Sequence, residues 1–180
     1  KAALQLVCGL GEEVGAALGQ HMDVDMVSFT GSTEVGRLFL QYSAQSNLKE
    51  VVLECGGKSP QIVFADAIIN EQTIDHILSA AFWNMSENCS CGSRLLVHSS
   101  QKEALLTLLK EGLQSWKVGH PYDPEVAIGP MIEKAHFEKV ISHLNTAKTE
   151  GARLIAGGRI HDELGSGWYI EPTVFDNVSP

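Results

Sequence analysis

The stretch Ser86 to Arg94, SENCSCGSR, places Cys89 and Cys91 two positions apart, just before a Gly-Ser pair. A C-x-C pair makes a poor zinc site, because a tetrahedral site usually takes its four ligands from C-x-x-C pairs. A disulfide between the two cysteines would close a strained ring. Cys89 follows a polar run, which fits an accessible, reactive thiol, whereas Cys91 lies nearer the next strand and fits a packing role. Inert packing of both cysteines is the alternative that this stretch leaves open.

A second candidate for chemistry is Glu54, in LECGGKSP. It closes an apolar strand and precedes a double glycine. A carboxylate at the carboxyl end of a parallel strand lies where α/β folds bind ligands. Partial burial there would raise its pKa toward that of a general base. The alternative is a strand-end glutamate in solvent or paired with Lys58.

A third candidate is the turn Gly31-Ser32, between an apolar run and a helical pattern. A glycine turn at a helix N-terminus directs backbone N–H groups at an anion, and the Ser32 hydroxyl can donate to a phosphate oxygen. The stretch is not a dinucleotide G-x-G-x-x-G motif, since Thr33 replaces the middle glycine. An ordinary capped strand-helix turn is the alternative.

The elements around these residues alternate between strands and helices. Strand patterns cover 24–30, 49–54, 59–64, 94–98, 153–158 and 169–175, and helical spacing covers 32–44, 69–84, 101–117 and 133–150. This alternation predicts an α/β fold with a largely parallel sheet. Ser32 or Thr33 is the expected N-cap of the first of these helices, and Gly151 the expected end of the last.

The amino-acid composition limits the kinds of partner that the protein can bind. The 180 residues carry 22 acidic and 13 basic side chains, a formal charge of -9 that repels phosphate backbones, so we expect no nucleic-acid partner. No apolar run has the length needed to span a bilayer, so we expect no membrane partner. Four cysteines are few for this length, and we interpret them as free thiols in a reducing, cytoplasmic compartment.

Three motifs together resemble the aldehyde dehydrogenase superfamily. They are VSFTGSTEVGR, LECGGKSPQIVFADA and FWNMSENCSCGSR, and their order and separations are similar to those of that family. IGPMI and GWYIEPTVF resemble its downstream segments. The resemblance implies an aldehyde dehydrogenase-like fold, with part of a Rossmann-type cofactor domain at 1–55 and part of the α/β catalytic domain at 56–180.

The resemblance also implies a mechanism: NAD(P)-dependent oxidation of an aldehyde to a carboxylic acid. Cys89 would attack the aldehyde carbon to form a thiohemiacetal, with its own N–H contributing to an oxyanion hole. Loss of hydride to NAD or NADP would leave a thioester, and Glu54 would activate the water that hydrolyses it. The implied cofactor contacts are Gly31, Ser32, Val35 and Cys55. No metal is implied.

The chain departs from the family pattern in length and at one loop position. The family's upstream asparagine and lysine and its downstream Glu-x-Phe-Gly-Pro segment are missing, so we expect the chain to be the middle of a longer protein and to bind cofactor poorly alone. A truncated, non-catalytic structural or assembly module is therefore an alternative hypothesis, and a thiol esterase is another. Ser86 stands where the family usually has glycine. A serine there would strain the loop if the position needs a positive φ.

Substrate and assembly are predicted only from the resemblance. FWNMSENCSCGSR resembles the branch that acts on ω-amino or γ-glutamylamino aldehydes, and Glu87 would favour a cationic substrate unless it is an exposed loop carboxylate. The predicted substrate-pocket residues are Trp83, Glu87, Asn88 and Ser90. The family forms dimers or tetramers, which predicts a homo-oligomer.

Overall fold

The computed structural model describes residues 3–179, in two compact units that divide between Gly57 and Lys58. The predicted domains, 1–55 and 56–180, divide close to the same place. The function assigned to each of them stays a prediction.

The first unit is built around one β-α-β crossover. Strand β1 (Met26–Gly31) leads into helix α2 (Thr33–Ala44), which returns the chain to the parallel strand β2 (Glu50–Cys55). A short helix, α1 (Ala16–Gln20), precedes them and continues a wider helical turn at Gly11–Gly15. Such a crossover is the connection that parallel strands require.

Helix α2 buries one face against β1 and β2. Phe39 is buried, and its ring centroid lies 4.9 Å from that of Phe29 on β1. Lys49 is also buried, and its ammonium donates to the Gly19 carbonyl at 2.7 Å and to the Ser46 hydroxyl at 2.8 Å. These hydrogen bonds tie the end of α1 to the segment that enters β2 and offset the cost of burying a charge.

The second unit begins with another β-α-β crossover. Strand β3 (Pro60–Val63), helix α3 (Glu71–Phe82) and strand β4 (Arg94–Val97) follow in order, and β3 and β4 pair in parallel. Helix α4 (Lys102–Gly112) then packs on α3. The core of this unit comprises Val63, Ile74, Ile77, Leu78, Leu105 and Leu109. The cysteine stretch is the connection from α3 to β4.

The remainder of the second unit is a long helix and a strand pair. Helix α5 (Lys134–Thr149) has Glu150 as its C-cap, and Gly151, the predicted end, follows directly with a φ of +86°. Strands β5 (Arg153–Ala156) and β6 (Val174–Asp176) follow and pair antiparallel. No helix in residues 3–179 has the length and apolar character to cross a membrane.

The strands do not join in one largely parallel sheet, as the alternation of elements had predicted. They form separate pairs, β1-β2, β3-β4 and β5-β6, and the third is antiparallel. The third pair is antiparallel because no α-helix lies between β5 and β6, so the chain turns back without a crossover.

Candidate active site

Cys89 lies at the exposed tip of a tight turn. The turn runs from Asn88 to Cys91, and the Cys91 N–H donates to the Asn88 carbonyl at 3.1 Å. The Asn88 side chain accepts from both the N–H and the hydroxyl of Ser90, each at 3.1 Å, so it stiffens the turn from inside. Within residues 58–179, no acceptor lies against the Cys89 N–H. The thiol and the N–H of Cys89 are therefore both available to contact a ligand.

The turn is attached to the carboxyl end of α3. The Gly92 N–H donates to the Ala80 carbonyl at 2.9 Å, and the Ala81 carbonyl accepts from the Ser86 hydroxyl and the Cys91 thiol. The last carbonyls of a helix have no partner within the helix. The cysteine stretch supplies those partners.

Three consecutive residues before the turn adopt the left-handed conformation. Asn84, Met85 and Ser86 have φ values of 52°, 55° and 63°. Left-handed backbone costs about 1–2 kcal/mol for each non-glycine residue. Ser86 therefore does occupy a position that needs a positive φ.

Glu87 is partly buried and contacts other residues of the protein, so it is not an exposed loop carboxylate. Its side chain is 13% exposed, its carboxylate accepts the Ile132 N–H at 3.1 Å, and His136 Nε2 lies 3.6 Å away. The carboxylate therefore connects the cysteine stretch to the segment that enters α5. Its predicted role in substrate binding stays a prediction.

The other predicted pocket residues surround the same turn. Trp83 follows α3 directly and its side chain is 65% exposed. The side chains of Asn88 and Ser90 are occupied by the hydrogen bonds within the turn.

Sequence analysis missed Gln61, whose amide donates to the carbonyls of Ile77 and Gly92 at 3.1 and 2.9 Å. Its signal was a polar residue within the apolar strand PQIVF.

Cys91 differs from Cys89 in burial. Burial raises the pKa of the Cys91 thiol, a hydrogen bond with Ser86 lowers it, and the net pKa lies above the ordinary value. Cys91 is half-buried, whereas Cys89 and Cys8 are exposed, and all four cysteines, including Cys55, are free thiols. These positions agree with the predicted packing role of Cys91 and the accessible position of Cys89.

Glu54 and the Gly31-Ser32 turn lie at one edge of the first unit. In the parallel ladder, Thr30 pairs with Glu54 and Gly31 with Cys55, so both strands end together. Glu54 is exposed. Since ligands in open α/β sheets bind beyond the carboxyl ends of the strands, this edge is a candidate binding site.

The start of α2 fits an anionic group. Ser32 is the N-cap, and its hydroxyl oxygen accepts the Val35 N–H at 3.2 Å, which leaves the hydroxyl hydrogen to donate outward. A Cβ on Gly36 would lie 3.2 Å from the Cys55 sulfur. Glycine there lets α2 approach the end of β2 closely, so the turn, the helix N-terminus and the strand end are adjacent. Glu34 in the first turn partly opposes an anion.

Glu54 belongs to the first unit and Cys89 to the second. Among residues 3–179, no group of three or more His, Cys, Asp or Glu side chains has a geometry that would hold a metal ion.

These two β-α-β units define an α/β protein with a thiol on an exposed turn. The chain belongs to the aldehyde dehydrogenase family, whose model matches residues 1–180. The resemblance in the motifs and the α/β, aldehyde dehydrogenase-like fold are thereby confirmed.

Individual relatives agree with that assignment. Aminoacetaldehyde dehydrogenase from Pseudomonas aeruginosa is 50% identical over 175 residues, 97% of this chain and 34% of that protein. The structure of indole-3-acetaldehyde dehydrogenase complexed with NAD+ matches 95% of this chain and 34% of its own, with a TM-score of 0.91 and 46% identity. Gamma-glutamyl-gamma-aminobutyraldehyde dehydrogenase from Burkholderia cenocepacia matches 91% of this chain and 33% of its own, with a TM-score of 0.87 and 42% identity. The chain spans about a third of the length of these relatives.

Proposed function

We propose that this chain carries the nucleophile and the base of an NAD(P)-dependent aldehyde dehydrogenase, which oxidises an aldehyde to a carboxylic acid. The observation that carries the proposal is the position of Cys89, with an exposed thiol and an uncommitted N–H at the tip of a turn anchored on α3. Family membership supports it.

Cys89 reacts as a thiolate, formed when its exposed thiol gives its proton to water. Its sulfur adds to the carbonyl carbon, a C–S bond forms, and the carbonyl electrons move to oxygen. The Cys89 N–H, which has no acceptor within residues 58–179, is available to stabilise that oxyanion. A thiolate suits this step because it is strongly nucleophilic and later leaves readily.

The edge formed by β1, β2 and α2 is the site that we propose for the cofactor. The N-terminus of α2, the Ser32 hydroxyl and the Gly31 turn would hold the pyrophosphate, with Val35 and Cys55 beside it. NAD, when bound, supplies the acceptor for the hydride that leaves the substrate carbon. Structural relatives solved with NAD+ support NAD as the cofactor.

Glu54 completes the reaction as general base. It takes a proton from water, the resulting hydroxide adds to the acyl carbon, and the C–S bond breaks to release the carboxylic acid and the Cys89 thiolate. Its place at the carboxyl end of β2 supports this role.

The substrate that we propose is an aminoaldehyde, since relatives named for aminoacetaldehyde and for gamma-glutamyl-gamma-aminobutyraldehyde are 50% and 42% identical to this chain. Trp83, beside the turn and 65% exposed, would contact it. A cytoplasmic homo-oligomer, a dimer or a tetramer, completes the proposal.

The test is NADH formation by the protein mixed with NAD and a panel of aldehydes that includes aminoacetaldehyde. We expect NADH that disappears in Cys89→Ala and persists in Cys8→Ala, which removes another exposed thiol. Equal rates of NADH formation in both variants would contradict the proposal. No NADH with any aldehyde, together with alkylation of Cys89 no faster than that of Cys8, would contradict it too, whereas no NADH with selective alkylation of Cys89 would assign the oxidation to a longer protein that holds the cofactor. Ester hydrolysis that needs Cys89 but no NAD would favour a thiol esterase instead.

A further inference from the structure

The carbonyl of Ala81 accepts two side-chain hydrogen bonds from opposite sides of the cysteine stretch. The Ser86 hydroxyl donates to it at 2.7 Å and the Cys91 thiol at 3.0 Å. One donor comes before Cys89 in the chain and the other after it. The shared carbonyl therefore closes the stretch from Ser86 to Cys91 into a loop, with Cys89 at its exposed side.

Both donors are suited to hold this position. Cys91 is half-buried and its pKa is raised, chiefly by burial, so it stays a protonated thiol that can donate at neutral pH. Ser86 has a φ of 63°, a conformation that a serine adopts at a cost. Its hydrogen bond to the Ala81 carbonyl partly offsets that cost.

We propose that Ser86 and Cys91 are positioning residues, which hold the Cys89 thiol and N–H in their reactive orientation through the Ala81 carbonyl. This inference rests on the proposed function, in which Cys89 is the nucleophile. In this proposal neither side chain contacts substrate. Their effect is on the orientation and reactivity of Cys89, beyond a contribution to folding.

The experiment measures alkylation of Cys89 by iodoacetamide, relative to Cys8 in the same molecule, by peptide mass spectrometry. Cys8 is exposed and serves as an internal standard. We expect the Cys89-to-Cys8 ratio to fall by about three- to tenfold in Ser86→Ala and in Cys91→Ala. Cys91→Ser, which keeps a donor for Ala81, should retain the ratio.

Two further variants separate positioning from stability. Ser115→Ala removes an equivalent serine, whose hydroxyl donates to the Gly112 carbonyl at 2.8 Å at the end of α4, and should leave the ratio unchanged. Ser86→Gly relieves the backbone strain without restoring the hydroxyl, so it should melt higher than Ser86→Ala yet show the same low ratio. A normal ratio in both Ser86→Gly and Ser86→Ala would overturn the inference.

A second measurement separates this inference from the proposed function. Hydrogen exchange in peptides covering 87–93 should quicken in Ser86→Ala and stay unchanged in peptides from α4. If Cys89 and Cys8 react equally in the unsubstituted chain, the proposed nucleophile is wrong, whereas unchanged exchange in 87–93 would overturn the positioning role whatever the alkylation result.

Discussion

Gly31 and Cys55 form the last pair of the parallel ladder between β1 and β2. Because the two strands end at the same level, the N-cap Ser32 and the strand-end Glu54 belong to one edge of the first unit. The proposed cofactor contact and the proposed general base are therefore adjacent parts of one local structure. Substitutions at this edge can therefore separate effects on NAD binding from effects on the stability of the fold.

Ser32 can be changed so that its two roles separate. Ser32→Ala removes the acceptor for the Val35 N–H and should lower the free energy of unfolding by about 1 kcal/mol. Ser32→Asp keeps a capping oxygen but adds negative charge beside the proposed pyrophosphate, so it should retain stability and weaken NAD binding. Thermal melting and calorimetric titration with NAD measure the two effects.

The control for Ser32 is Asn70, whose side chain caps α3 by accepting the Thr73 N–H at 3.0 Å. Asn70→Ala should lose comparable stability without a change in NAD affinity. Unaltered NAD affinity in Ser32→Asp would count against the cofactor site.

Glu54→Gln should trap the acyl enzyme. The amide keeps the shape of the side chain but cannot take a proton from water, so the thioester on Cys89 accumulates after the first turnover. Intact-mass spectrometry after mixing with NAD and aldehyde detects the acyl adduct. Glu50→Gln, at the exposed start of the same strand, is the matched control and should turn over normally. Normal turnover by Glu54→Gln would remove Glu54 from the base role.

Gly36 should accept alanine but not valine. A Cβ there would lie 3.2 Å from the Cys55 sulfur and 3.4 Å from Leu53, so a larger branched side chain must push α2 off β2. Alanine gains about 1 kcal/mol in helix propensity, which offsets its own contact, whereas overpacking by valine costs about 1–3 kcal/mol. Chemical denaturation measures the difference. Gly11→Val, with no atom within 4 Å of the added Cβ, should be tolerated.

Asp176 should make stability depend on pH at the acid end. Burial raises the pKa of its carboxyl, but hydrogen bonds from Lys102 and Arg153 outweigh that effect, and the net pKa lies below its ordinary value. A lowered folded pKa means that the stabilisation is present above the unfolded pKa of about 3.9 and is lost as pH falls through the folded value.

Asp176→Asn should therefore melt below the unsubstituted chain at neutral pH, and the difference should shrink as pH falls below about 4. Melting temperatures across an acid series measure it. Asp162→Asn, an exposed carboxylate in the same unit, is the control. A difference in melting temperature that persists unchanged at low pH would show that Asp176 contributes by shape rather than by charge.

The local elements followed from sequence patterns because short-range physics determines them. The apolar spacing of STEVGRLFLQYSA and the capping preference of Ser32 predicted α2, and the structure places it at Thr33–Ala44 with Ser32 as the N-cap. Gly151, expected at the end of α5, lies just beyond the C-cap Glu150 with a positive φ. Strand pairing was predicted less well, because the direction in which β6 returns to β5 depends on the path of the loop between them.

The amino-acid sequence by itself determined the family, the position of Cys89 before a Gly-Ser pair and the position of Glu54 at a strand end. Only the tertiary structure decided how the cysteine stretch is held. The stretch contains three successive residues with left-handed backbone, which no sequence pattern indicated. It is also held by contacts between residues that no local pattern connects: the two hydrogen bonds to the Ala81 carbonyl and the hydrogen bond from the Ile132 N–H to Glu87. The physical reason is that unpaired helix-end carbonyls and partly buried carboxylates find partners wherever the packed chain brings donors to them.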